Sequence, residues 1–117
     1  MEDFTFDDFL SVAKLRNRFF TIEGIGRVKI YELSSLDIAK IREEAREVNA
    51  SGDLLAHGEF VARNACRFLN GGDYPSDDQI TGIRRNVSED VLIEIYSKGM
   101  NFNFAGSESK EVIEKNS

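Results

Sequence analysis

The spacing of apolar positions sets one stretch, Arg18 to Leu33, apart from the rest of the chain. Within it Val28 and Ile30 alternate with Arg27 and Lys29, the period of two that a strand with one wet face requires. Phe19, Phe20, Thr21 and Ile22 supply a second arm rich in aromatic and β-branched residues. Gly24 and Gly26 flank Ile25 between the arms, which predicts a β-hairpin closed by a short loop with positive φ. Reading Gly24-Ile25-Gly26 as the start of a glycine-rich phosphate loop fails. The residues after it continue as a strand, and neither a third glycine nor an acidic ribose partner follows at the required spacing.

Elsewhere the period is helical. Thr5 precedes Asp7 and Asp8, which predicts a capped, acidic first helix with Phe9, Leu10 and Ala13 on one face. Lys14, Arg16 and Arg18 form a basic connector into the hairpin. After the hairpin, Ser34 is an N-cap candidate, with Leu33 and Ile38 at the spacing of a hydrophobic staple. Ile38, Ile41, Ala45 and Val48 then make one apolar stripe, and turn residues from Asn49 to Gly52 close the helix. The charges between Lys40 and Glu47 read as a solvated face with local ion pairs. Asp53 caps a second long helix running to about Leu69. Leu54, Val61, Ala65 and Phe68, with Leu55, Ala62 and Leu69 beside them, make it the expected central core helix. Asn70-Gly71-Gly72-Asp73 and Pro75 stop it.

Ser76 and Gln79 form a capping-box pattern for a short helix that contains Gly82. Ser88 opens another, with Val87 and Leu92 as its staple, Val91, Leu92, Ile95 and Tyr96 as its buried face, and Gly99 as its expected end. Beyond it Phe102 and Phe104 alternate with Asn101 and Asn103, and Val112 and Ile113 punctuate a polar tail. The expected fold is α+β and mainly α-helical: an N-terminal β-hairpin followed by about four packed helices. Residues 1–104 are expected to form a single globular domain, and 105–117 a tail or short helix.

With 117 residues and 41% hydrophobic content, one modest core is expected without metal or disulfide support. The net charge of −6 argues against a general nucleic-acid binder, since phosphate contacts need a basic footprint. Cys66 is the single cysteine, which suits a reducing compartment. The acidic opening MEDFTFDD is unlike a signal peptide, and no stretch has the apolar length of a membrane span.

Candidate chemistry is sparse. His57 and Cys66 fall on one helix more than two turns apart, too far for a nucleophile–base pair. They read instead as a partly covered helix residue and a small buried hydrophobe. Glu43–Glu44 and Asp77–Asp78 are adjacent on helices and point in different directions, so neither makes an acid–base dyad. No catalytic residue, metal ligand or cofactor site is expected, which points to a binding protein. Nine phenylalanines include several near the ends: Phe4, Phe6, Phe9, Phe102 and Phe104. Either the ends fold back and bury them, or some form an apolar surface for a partner.

The order of elements resembles the tail assembly chaperones of long-tailed bacteriophages with non-contractile tails. The resemblance is carried by Asp8-Phe9-Leu10 in the opening helix and by Gly24, Gly26, Val28 and Ile30 in the hairpin. Glu32-Leu33-Ser34 leads into a charged helix, Ser76-Asp77-Asp78 starts a later one, and Val91, Leu92, Ile95 and Tyr96 follow. The closing Glu-Lys-Asn-Ser fits the same pattern. Asn70-Gly71-Gly72-Asp73 and Phe102-Asn103-Phe104 depart from it.

The resemblance implies a non-enzymatic protein of the host bacterial cytoplasm. It would coat and solubilise the tape measure protein, help tail tube subunits polymerise around it, and be absent from the mature virion. It also implies a minor longer form, made by programmed frameshifting near Lys115-Asn116, that recruits the tail tube protein. Many copies suggest a homo-oligomer, and no nucleic acid or membrane is expected as a partner. Phe102, Phe104, Val112 and Ile113 are the expected protein-interaction residues, as the apolar part of a segment outside the core. Two other classes compete: a generic acidic helical adaptor domain, and a DNA-binding helix-turn-helix around Ile83, Arg84 and Arg85. In the latter, Glu89, Asp90 and Glu94 would repel phosphate.

Overall fold

The computed structural model describes residues 5–104, apart from the side chain of Val12. A short helix, α1 (Phe6–Val12), leads into a two-stranded antiparallel sheet, β1 (Asn17–Ile22) and β2 (Gly26–Tyr31). Four helices follow: α2 (Ser35–Ser51), α3 (Leu54–Leu69), α4 (Asp77–Asn86) and α5 (Glu89–Phe104). The chain is therefore an α+β domain, mainly helical, with the hairpin ahead of a four-helix pack.

Local chemistry sets most boundaries. The Oγ atoms of Ser34 and Ser76 accept from the N–H groups of Asp37 and Gln79, at 3.1 Å in each case. The Gln79 side chain returns a bond to the Ser76 N–H at 2.9 Å, completing a capping box. Thr5 and Asp8 make the same reciprocal pair at α1. Asp53 Oδ1 accepts from Leu55 and Ala56 N–H. Gly52 ends α2 in the left-handed region, at φ 68°. In the hairpin, Gly24 and Gly26 hold φ of 87° and 113° while the Ile25 N–H donates to the Ile22 carbonyl. The register pairs Phe20 with Val28 and Ile22 with Gly26, turning Phe20, Ile22, Val28 and Ile30 toward the helices.

α3 is the centre of the core. Phe60, Val61, Ala62, Ala65 and Phe68 are buried, and Phe60 and Phe68 face Tyr96 of α5 with ring centroids 5.5 and 6.3 Å apart. α2 adds Ile41, α4 adds Ile80, α5 adds Leu92 and Ile95, and the sheet adds Ile22 and Ile30. Arg67, 1% exposed, ties the end of α3 to its surroundings. Its Nε donates to the Gly72 carbonyl at 3.0 Å, and its guanidinium lies 4.0 Å from the Tyr74 ring centroid. Its Nη2 sits 3.1 Å from Asp37 Oδ1 without a well-aligned hydrogen bond, so that attraction is coulombic.

Four expectations are corrected. Gly99 does not end α5, which continues to Phe104. Gly99 is instead the point where α5 touches α3: a Cβ there would lie 2.3 Å from the Phe68 ring. Phe102 and Phe104 therefore belong to a helix rather than to an alternating tail. Leu54 and Leu55, which the stripe assigns to the core, are 86% and 78% exposed at the first turn of α3. His57, expected to be partly covered, is exposed at the same end of the helix.

Candidate functional site

Most of the large exposed apolar side chains gather in two places. The first is the start of α3, where Leu54 and Leu55 border a hollow of about 280 Å³. Val61, Val87 and Leu92 supply its apolar lining, and Arg84 and Glu89 its charged groups. Gly58 makes room for Arg84, whose Nη2 would be 3.1 Å from a Cβ at that position. The hollow lies between the start of α3, the end of α4 and the start of α5, and its lining mixes polar and apolar surface in similar amounts.

The second place is the N-terminal arm. Phe6, Phe9 and Leu10 of α1, Leu15 of the connector, Phe19 of β1 and Ile25 of the turn are all more than half exposed. The strand register sets Phe19 opposite Lys29 and Thr21 opposite Arg27, on the sheet face turned away from the core. Arg27 and Lys29 stand 4.6 and 5.4 Å from the Phe19 ring centroid, and Lys29 is also 6.0 Å from that of Tyr31. The outer face is thus aromatic and cationic. At its base Arg16 pairs with Glu32 at 2.8 Å. The side-chain hydrogen bond from Arg16 holds the Glu32 carboxyl below the usual carboxylate range, and the same bond raises Arg16.

The expected interaction residues fall differently. Phe102 is partly buried, meets Phe20 edge to face at 5.7 Å, and lies 5.5 Å from the Arg16 guanidinium. Phe104 is partly buried with Arg42 4.1 Å over its ring. Both are engaged within the fold, so they do not form a segment separate from the core. Val112 and Ile113 lie outside the described residues. Of the terminal phenylalanines that are described, Phe6 and Phe9 are exposed while Phe102 and Phe104 are partly covered.

Cys66 is buried, which pushes its thiol pKa up, and it lies away from exposed His57. Among the described residues, no three His, Cys, Asp or Glu side chains converge as metal ligands would. Among them, too, no helix is long and apolar enough to cross a membrane. The fold and its surfaces define a mainly helical α+β domain with a partly apolar hollow at the start of α3 and a cationic, aromatic sheet face. No family model, curated protein or solved structure matches the chain.

Proposed function

We propose that this chain is a non-enzymatic assembly chaperone that holds an apolar helical client. In the setting its sequence resembles, the client is the tape measure protein of a long-tailed bacteriophage, bound in the host cytoplasm and released as tail tube subunits polymerise. A longer frameshifted form would bring in the tube protein, and neither form would stay in the virion. One observation supports this reading above the others. Two large aliphatic side chains at the head of the core helix, Leu54 and Leu55, stand exposed beside a hollow of mixed polar and apolar lining. Exposed leucines of this kind meet the apolar i, i+3, i+4 face of a client helix, with Arg84 and Glu89 beside its polar flank, and the chain's net acidity keeps the loaded complex soluble.

The test is co-expression with the tape measure protein of the same genome, scoring the client's soluble fraction and co-purification. The parent chain is expected to keep the client soluble. Leu54→Asp/Leu55→Asp is expected to lose that effect while retaining its own fold, because both side chains are exposed. A client that is equally soluble without the chain, and does not co-purify with it, would return the generic adaptor reading to first place. A double variant as effective as the parent would move the client away from this groove.

A further inference from the structure

We propose that the N-terminal arm docks one copy of this chain onto another. The acidic, aromatic helix α1 of one copy lies across the cationic outer face of the β1–β2 ribbon of a second copy. This inference does not depend on the identity of any client.

The first argument is exposure on both sides of the contact. Phe6, Phe9 and Leu10 share one side of α1 and are 75%, 57% and 57% exposed. On the ribbon Phe19 is 51% exposed. Neither surface covers the other within a single chain. A helix of seven residues has little stability of its own, even with a capping box, and gains it by burying its apolar side.

The second argument is charge complementarity. Asp7 and Asp8 are the charged residues of α1, Glu2 and Asp3 precede them in the sequence, and no basic residue occurs before Lys14. From Lys14 to Tyr31 the signs reverse, with Lys14, Arg16, Arg18, Arg27 and Lys29 against the single acid Glu23. The chain is acidic as a whole, at −6, so this ribbon is a basic island. Arg27 and Lys29 flank Phe19, and Asp7 lies beside the apolar side of α1. An aromatic contact bordered by opposite charges is attractive when α1 meets the ribbon. It is repulsive when α1 meets α1 or ribbon meets ribbon, so the charges also fix the orientation. The two surfaces are different patches of one chain. Reciprocal exchange therefore closes a two-fold dimer, and one-way exchange builds a chain of copies.

The test is a charge exchange on the full chain. Two variants are made, Asp7→Lys and Arg27→Glu/Lys29→Glu. Asp8 is left in place because its carboxylate closes the capping box. All three substituted positions are exposed, and circular dichroism checks that the fold is kept. Sedimentation velocity is run on each variant alone and on an equimolar mixture, at low and at high salt. The parent is expected to self-associate with a salt-weakened constant. Each variant alone is expected to associate at least about tenfold more weakly, one charge contact being worth roughly that factor where desolvated. The mixture is expected to recover association between unlike copies.

A parent that stays monomeric at all concentrations overturns the proposal, because α1 and the ribbon then stay uncovered. Variants that associate like the parent, or a mixture that recovers nothing, overturn it too. So does a parent whose ribbon variant loses low-salt binding of a fluorescent oligothymidine while its self-association is unchanged, since the ribbon would then serve nucleic acid.

Discussion

Gly82 and Gly99 each sit inside a helix, and only their neighbours tell them apart. At Gly99 a methyl group would overlap the Phe68 ring, which is fully buried and cannot retreat. Gly99→Ala is expected to cost about 2–3 kcal/mol through overpacking, although alanine gains about 1 kcal/mol in helix propensity. At Gly82 nothing lies within 4 Å of the added carbon. Gly82→Ala is expected to stabilise by about 0.5–1 kcal/mol, and urea titration of the two variants reads the opposite signs. Asn103 is a third residue whose role is set by distant partners. Its Oδ1 accepts from the Leu33 N–H at 2.6 Å, and its Nδ2 donates to the carbonyls of Gly99 and Tyr31. Asn103→Ala strands the Leu33 amide at the buried junction of sheet and α2. A loss of about 2 kcal/mol is expected in the same assay.

At the scale of elements, the caps were legible in the sequence and the contacts between elements were not. Thr5, Ser34, Asp53 and Ser76 each bond to groups within three residues, so the pattern that predicts a cap contains every atom the cap uses. The hairpin is local in the same sense. Gly99 reads as a helix stop because its reason for being glycine, Phe68, is on another helix. Leu54 and Leu55 read as core because periodicity gives the side of a helix and not how far its neighbours extend. Periodicity likewise does not show the hollow they border, which is made with Arg84, Val87 and Glu89 from elsewhere in the chain.

Arg67 shows how much one side chain can join: α3, the start of α2 and the turn at Gly72–Tyr74. Arg67→Ala is expected to lower stability by about 3 kcal/mol. Arg67→Lys is expected to recover little of it, because an ammonium lacks the planar fork that bonds a carbonyl while stacking on a ring. Thermal melts of the pair check both expectations.

Across the whole molecule, charge is segregated, with a basic ribbon on a body that makes the net charge −6. The link between them is Arg16–Glu32. The folded state holds the Glu32 carboxylate more firmly than the unfolded chain does, since its folded pKa is depressed. Its contribution is therefore complete above the unfolded titration and disappears as pH falls through the folded one. Glu32→Gln is expected to lower the melting temperature slightly at pH 7. Parent and variant should converge at a pH below the folded titration. The effect is small because Arg16 is 68% exposed and well solvated. A difference that persists or grows in acid would show that the pair is not the cause.

The Asn103 bonds reach back 70 and 72 residues, to Leu33 and Tyr31. A ribosome adding 5–20 residues per second delivers Asn103 roughly 4–14 s after the hairpin it secures. Hairpins themselves form in about 1–10 μs. The two strands are thus synthesised long before their last lock exists, with Phe20, Ile22, Val28 and Ile30 left for α3 and α5 to cover later and the isolated hairpin only marginally stable until then. During synthesis the nascent chain carries an open sheet face and two unpaired strand edges, the features that holdases and neighbouring nascent chains bind. For several seconds of its synthesis the chain is itself a substrate for other proteins' protection.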